Sequence, residues 1–171
     1  MEKQTLNIKE IELLTHWLNH GISVTRELGE TNDDEAYFEQ VGFLENYKKS
    51  LVSSLNLTDT EMETLKFNLF AAKKMVKQDL HKKINIEVSK KYLIGISNLL
   101  EQITELDSTF NTNTLYLSLD ESHLLLDWID CFITKNVNKM KELDSDDLKN
   151  IKSRTSYILH LFSIKEKLNA L

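Results

Sequence analysis

Proline is absent from the chain, and glycine occurs four times in 171 residues. Proline breaks helix interiors and punctuates turns, so its absence favours long uninterrupted helices. There is one cysteine, Cys131. It excludes an internal disulfide and a cysteine-rich zinc module. Arg26 and Arg154 are the only arginines among 21 basic residues. That lysine bias suits an AT-rich genome, as in many Gram-positive bacteria and their phages. Positive charge is outnumbered, with a formal net charge of −6. Generic nucleic-acid binding, which requires neutralised phosphates, is disfavoured. No run approaches the roughly 18 apolar residues of a membrane span, and the N-terminal residues lack the apolar core of a signal peptide. A cytosolic protein with no membrane association is expected.

What the chain does have is a stretch that recurs. Leu6 to Ile22 and Leu117 to Ile133, offset by 111 residues, share Leu, Glu, Leu, Leu, Trp and Ile at the same places. A fainter copy begins at Leu57, offset by 51, and lacks the tryptophan. Each copy opens with a capping box: Asn7 with Glu10, Thr58 with Glu61, Ser118 with Glu121. In such a box the cap side chain accepts from the fourth residue's amide, and the glutamate accepts from the cap's amide. Apolar residues at Leu6 and Ile11, and at Leu57 and Met62, add hydrophobic staples.

Apolar residues then recur at helical spacing. The first helix buries Ile11, Leu14, Leu18 and Ile22, with Leu13 and Trp17 widening the stripe, and ends at Gly29. The second carries Tyr37, Val41 and Leu44 and continues through Leu51 and Leu55. The third runs from Thr58 to about Leu80, and the fourth from Asn85 to Leu106. Residues 107–117, rich in Ser, Thr and Asn, read as a linker, extended at Leu115 to Leu117. The fifth runs to about Leu143. Asp144, Asp146 and Asp147 open the sixth. The fold class is therefore all-α, a single domain over residues 1–171. About six helices form three antiparallel hairpins (about 7–55, 58–106 and 118–169) in a compact bundle. The alternative is a short stack of hairpin repeats, but the spacings of 51 and 60 residues are unequal, whereas solenoids keep a fixed period.

Chemistry is sparse. His16 and His20 stand four apart on one helix, a spacing that lets two imidazoles reach one metal ion. Their counterparts in the last copy are Asp127 and Cys131. The four are the candidate metal ligands of an alternative reading, a metal-dependent helical-bundle enzyme. At about 100° per residue, however, His16 and His20 fall on the face away from the apolar stripe. Trp17 and Trp128 sit at the stripe's margin, as partner anchors or as packing between helices. Lys74, Lys82 and Lys83, within a lysine cluster that includes Lys73, Lys77, Lys90 and Lys91, could hold an anionic partner. Cations at a helix C-terminus explain most of that cluster without one. This is the second alternative, nucleic-acid contact through the middle hairpin. No phosphate loop, nucleophile elbow or cofactor motif is present in the sequence, so no catalytic residue and no cofactor is assigned. The expected function is a non-enzymatic interaction module: a bacterial or phage adaptor, regulator or inhibitor that binds a protein, self-association included.

Overall fold

A computed structural model describes residues 4–108, 113–143 and 147–171, the side chains of residues 4, 107 and 108 excepted. The chain is all-α. Among the described residues there are six helices and three short strands, in the order β1 (Gln4–Thr5), α1 (Ile8–Asn32), α2 (Glu35–Ser50), β2 (Leu51–Asn56), α3 (Asp59–His81), α4 (Ile86–Ser108), β3 (Thr114–Leu117), α5 (Leu119–Lys141) and α6 (Leu148–Asn169). The strands lie in the order β1-β2-β3. The chain divides into two compact units, one of residues 1–54, 116–119 and 171, the other of residues 55–115 and 120–170.

In the first unit, the box at the start of α1 is formed as the spacing predicts. The Glu10 amide donates to Asn7 Oδ1 at 2.9 Å, and the Asn7 amide donates to Glu10 Oε2 at 3.0 Å. The helix buries Ile11, Ile22 and Gly29, with Leu14, Leu18 and Thr25 half-buried along the same line. It does not stop at Gly29. A Cβ there would lie 3.1 Å from Tyr37 Cβ and 3.2 Å from the Phe38 ring, so the glycine permits a close approach of α1 to α2 rather than capping a helix. The left-handed cap is Asp33, at φ 50°. Two long-side-chain bridges join the pair: Arg26 to Glu45 at 3.0 Å and Lys48 to Asn19 at 2.9 Å.

The second helix ends at Ser50, earlier than its periodicity implies. Leu51, Val52 and Leu55 are buried in a strand, not on a helical face. β2 runs parallel to β1, with Gln4 opposite Leu51 and Thr5 opposite Val52. The Leu6 amide donates to the Val52 carbonyl at 2.9 Å, and Ser53 Oγ donates to the Leu6 carbonyl at 2.6 Å. A β-branched residue and two serines form helix poorly. With backbone partners supplied from outside, the strand wins.

In the second unit α3 packs along α4 and also against α6. Its core comprises Leu65, Leu69, Ala72 and Val76 of α3, Ile96, Leu99 and Ile103 of α4, Leu125 and Ile129 of α5, and Leu161, Ile164 and Leu168 of α6. Gly95 allows α4 to lie close to α5, since a Cβ there would sit 2.8 Å from Leu124 Cδ2. The first two hairpins pair as expected. In the third, α5 and α6 are joined by side chains, Lys165 to Asp130 at 2.5 Å and Arg154 to Asn136 at 3.1 Å, while α6 also packs against α3. Asp147 caps α6 through the Asn150 amide at 3.4 Å; Asp144 and Asp146 lie outside the described residues. No helix among the described residues is long and apolar enough to cross a membrane.

Candidate functional site

The box at the start of α3 does more than cap. Glu61 is 4% exposed. Its Oε2 accepts from the Thr58 amide at 2.7 Å, from Thr58 Oγ1 at 3.0 Å and from Lys167 Nζ at 2.6 Å, while Oε1 accepts from Ser163 Oγ at 2.6 Å. Burial by itself raises the carboxyl's pKa. The donors from Lys167, Ser163 and Thr58 outweigh it and hold the group at about 2, below the ordinary 4.5. Such a carboxylate is a poor proton acceptor near neutral pH, and its donors Ser163 and Lys167 tie the start of α3 to α6. Further along the same face of α3, Thr64 and Asn68 are also buried. Asn68 donates to the Thr64 carbonyl at 2.6 Å and accepts from the Tyr157 hydroxyl of α6. Burial pushes the Tyr157 phenol up, only partly offset by Asn68.

Helix α5 lines two clefts of about 520 Å³ each. Its N-terminal half faces α4 across an acidic one, with Asp120, Glu121 and Asp127 opposite Glu87, Lys91 and Tyr92. Lys91 approaches Asp120 at 3.5 Å, both well exposed. Its C-terminal half forms a basic one with α3 and α6. There Lys135, Lys139 and Arg154 stand among Phe67, Phe132 and Tyr157, and no acidic side chain among the described residues lines it.

The sequence candidates fall in different surroundings. His16 and His20 are exposed on α1, in the first unit. Asp127 is exposed and Cys131 half-buried on α5, in the second. Among the described residues no group of three or more His, Cys, Asp or Glu side chains is placed to hold a metal ion. Lys74, Lys82 and Lys83 are exposed. Lys83 turns through the left-handed region at φ 56°, where α3 gives way to α4.

The tryptophans part company. Trp128 is half-buried, edge-on to Tyr92 at 6.2 Å and tilted over Phe132 at 6.1 Å between centroids. Trp17 is 63% exposed, its one described ring neighbour being the adjacent His16 at 6.3 Å. It does not widen the buried stripe of α1. With Leu13, Val24 and Leu28, all exposed, it forms a second apolar ridge. At about 100° per residue these four fall within about 60° of one another, roughly a quarter-turn from the buried line, and span about 22 Å. Of the groups that stand out, Glu61 reads in the sequence as a cap alone. The basic cleft could be sought only through Arg154, one of two arginines. No known family model, characterised protein or solved structure matches the chain.

Proposed function

We propose that this chain is a non-enzymatic protein-interaction module that engages its partner through the α1 ridge. The supporting observation is the ridge itself, with Trp17 at 63% exposure. Single exposed apolar residues are ordinary on any surface. Four large ones aligned on one helix, apart from its buried face, form the contact pattern of a helix that packs on a second surface. Tryptophan is also the residue most enriched where binding energy concentrates. An adaptor, regulator or inhibitor in the cytoplasm fits this reading, and self-association through the ridge is its simplest variant.

The test uses the full chain and a Trp17→Glu, Leu28→Glu double variant. Sedimentation across a concentration series reads self-association, and capture from source-cell extract reads other partners. The expected result is complex formation by the wild type that the double variant abolishes with its melting temperature unchanged. A monomer at every concentration that captures nothing, or a partner held equally by both proteins, overturns the proposal.

A further inference from the structure

The basic cleft of the second unit uses none of the α1 residues and stands independently of the interaction reading. We propose that it binds a small phosphorylated ligand bearing a flat aromatic ring, of the size and charge of a mononucleotide. Three observations carry this. The first is charge. In a chain with 27 acidic and 21 basic residues, Lys135, Lys139 and Arg154 converge on one cleft with no acidic side chain among its described lining. Four cations elsewhere, by contrast, have carboxylate partners: Lys167 with Glu61, Lys165 with Asp130, Lys91 with Asp120 and Arg26 with Glu45. Helix-dipole complementarity accounts for Lys139, in the last turn of α5, but not for Lys135 a turn further in. Nor does it account for Arg154, in the second turn of α6.

The second observation is what those cations touch. Arg154 Nη1 donates to the neutral side-chain amide oxygen of Asn136, Oδ1, at 3.1 Å. A guanidinium has five donors in a planar fork suited to phosphate oxygens, so this contact positions it while leaving most of that capacity. Lys135 Nζ rests 3.4 Å from Met75 Sδ and 5.9 Å from the Phe132 ring centre. Both are weak partners for an ammonium.

The third is the wall. Phe67, 66% exposed, meets Tyr157 edge-on at 6.4 Å, and the Tyr157 hydroxyl is tied back to buried Asn68. Phe67 is exposed enough for a base to stack on it, beside the cations that would take its phosphate. About 520 Å³ lies within the range of small-ligand sites, roughly 300–1,000 Å³.

The experiment titrates the isotope-labelled full chain with the four ribonucleoside monophosphates, adenosine, inorganic phosphate and a single-stranded oligonucleotide, followed by amide NMR. The expected result is saturable binding of at least one monophosphate that shifts amides of residues 135–139 and 154–157. Adenosine and inorganic phosphate should each bind at least about tenfold more weakly. Arg154→Ala should weaken the monophosphate about ten- to hundredfold, the scale of a lost charge-assisted hydrogen bond. Lys139 is exposed, so Lys139→Ala keeps the fold and provides a second variant expected to weaken binding. Three results overturn the proposal: no saturable shift at millimolar monophosphate, inorganic phosphate binding as tightly as the monophosphates, or an oligonucleotide binding where no monophosphate does.

Discussion

The Lys167 ammonium lies 2.6 Å from the Glu61 carboxylate, joining the last turn of α6 to the first turn of α3. Each charge sits at the helix end whose dipole favours it. Because Glu61 is buried and takes four donors, Glu61→Gln should destabilise the protein by about 2–4 kcal/mol. Glu10→Gln, the same change in the exposed box of α1, should cost under about 1 kcal/mol. Urea denaturation followed by circular dichroism measures both, and equal losses would show that Glu61 does no more than cap.

The same carboxylate predicts an acid limb. Its pKa is about 2 in the folded chain against an ordinary 4.5. Below pH 4.5 the unfolded chain therefore takes up a proton that the native state resists. The Glu61 contribution is complete above about pH 4.5 and is lost as pH falls towards 2. It amounts to something on the order of 3 kcal/mol. The gap between wild type and Glu61→Gln should hold steady from pH 7 to 5 and then narrow. A gap independent of pH down to 3 contradicts this.

Tyr157 gives the opposite limb. Its raised pKa means that the folded state keeps the phenolic proton longer than the unfolded one. The associated stability is complete below about pH 10, the ordinary tyrosine value, and is lost as pH rises through the folded pKa. Ultraviolet titration should show one tyrosine ionising late, and Tyr157→Phe should remove it. That substitution also deprives the buried Asn68 oxygen of its donor, at about 1–2 kcal/mol.

Much of this architecture is legible in the residues, and the exceptions share a cause. Caps and boxes are local, so Asn7, Thr58 and Asp147 mark helix starts within a residue or so. Helical periodicity is also local, and it identifies Ile11 and Ile22 as buried. What escaped depends on distant partners. Leu51 to Leu55 satisfies a helical reading until Leu6, just after β1, supplies a backbone hydrogen-bond partner. Glu61 looks like Glu10 until Ser163 and Lys167, about a hundred residues later, close over it. The basic cleft draws on α3, α5 and α6, and no sequence window contains all three.

Trp17 and Trp128 illustrate the same limit, since they occupy matching places in the repeat. Trp17→Ala should change stability by less than about 0.5 kcal/mol, as for a surface site. Trp128→Ala should cost about 2–3 kcal/mol, through lost burial and its contacts with Tyr92 and Phe132. In single-tryptophan variants, Trp17 should emit further to the red and be quenched more steeply by acrylamide. Reversed quenching slopes would mean that something covers Trp17 in solution, and dilution would then show whether it is a second copy.

Two glycines inside helices separate propensity from packing. Alanine is favoured over glycine in a helix interior by about 1 kcal/mol. At Gly42 in α2, nothing lies within 4 Å of the added Cβ, so Gly42→Ala should stabilise by about 0.5–1 kcal/mol. At Gly95 in α4 the Cβ would meet Leu124 Cδ2 at 2.8 Å. Leu124 is buried and cannot swing freely, and overpacking costs about 1–3 kcal/mol, enough to cancel or exceed the propensity gain. Gly95→Ala should therefore be neutral to destabilising by about 2 kcal/mol, and Leu124→Val in the same chain should recover part of the loss by making room. If both glycine changes raised the melting temperature equally, α4 and α5 would lie further apart than Gly95 and Leu124 imply.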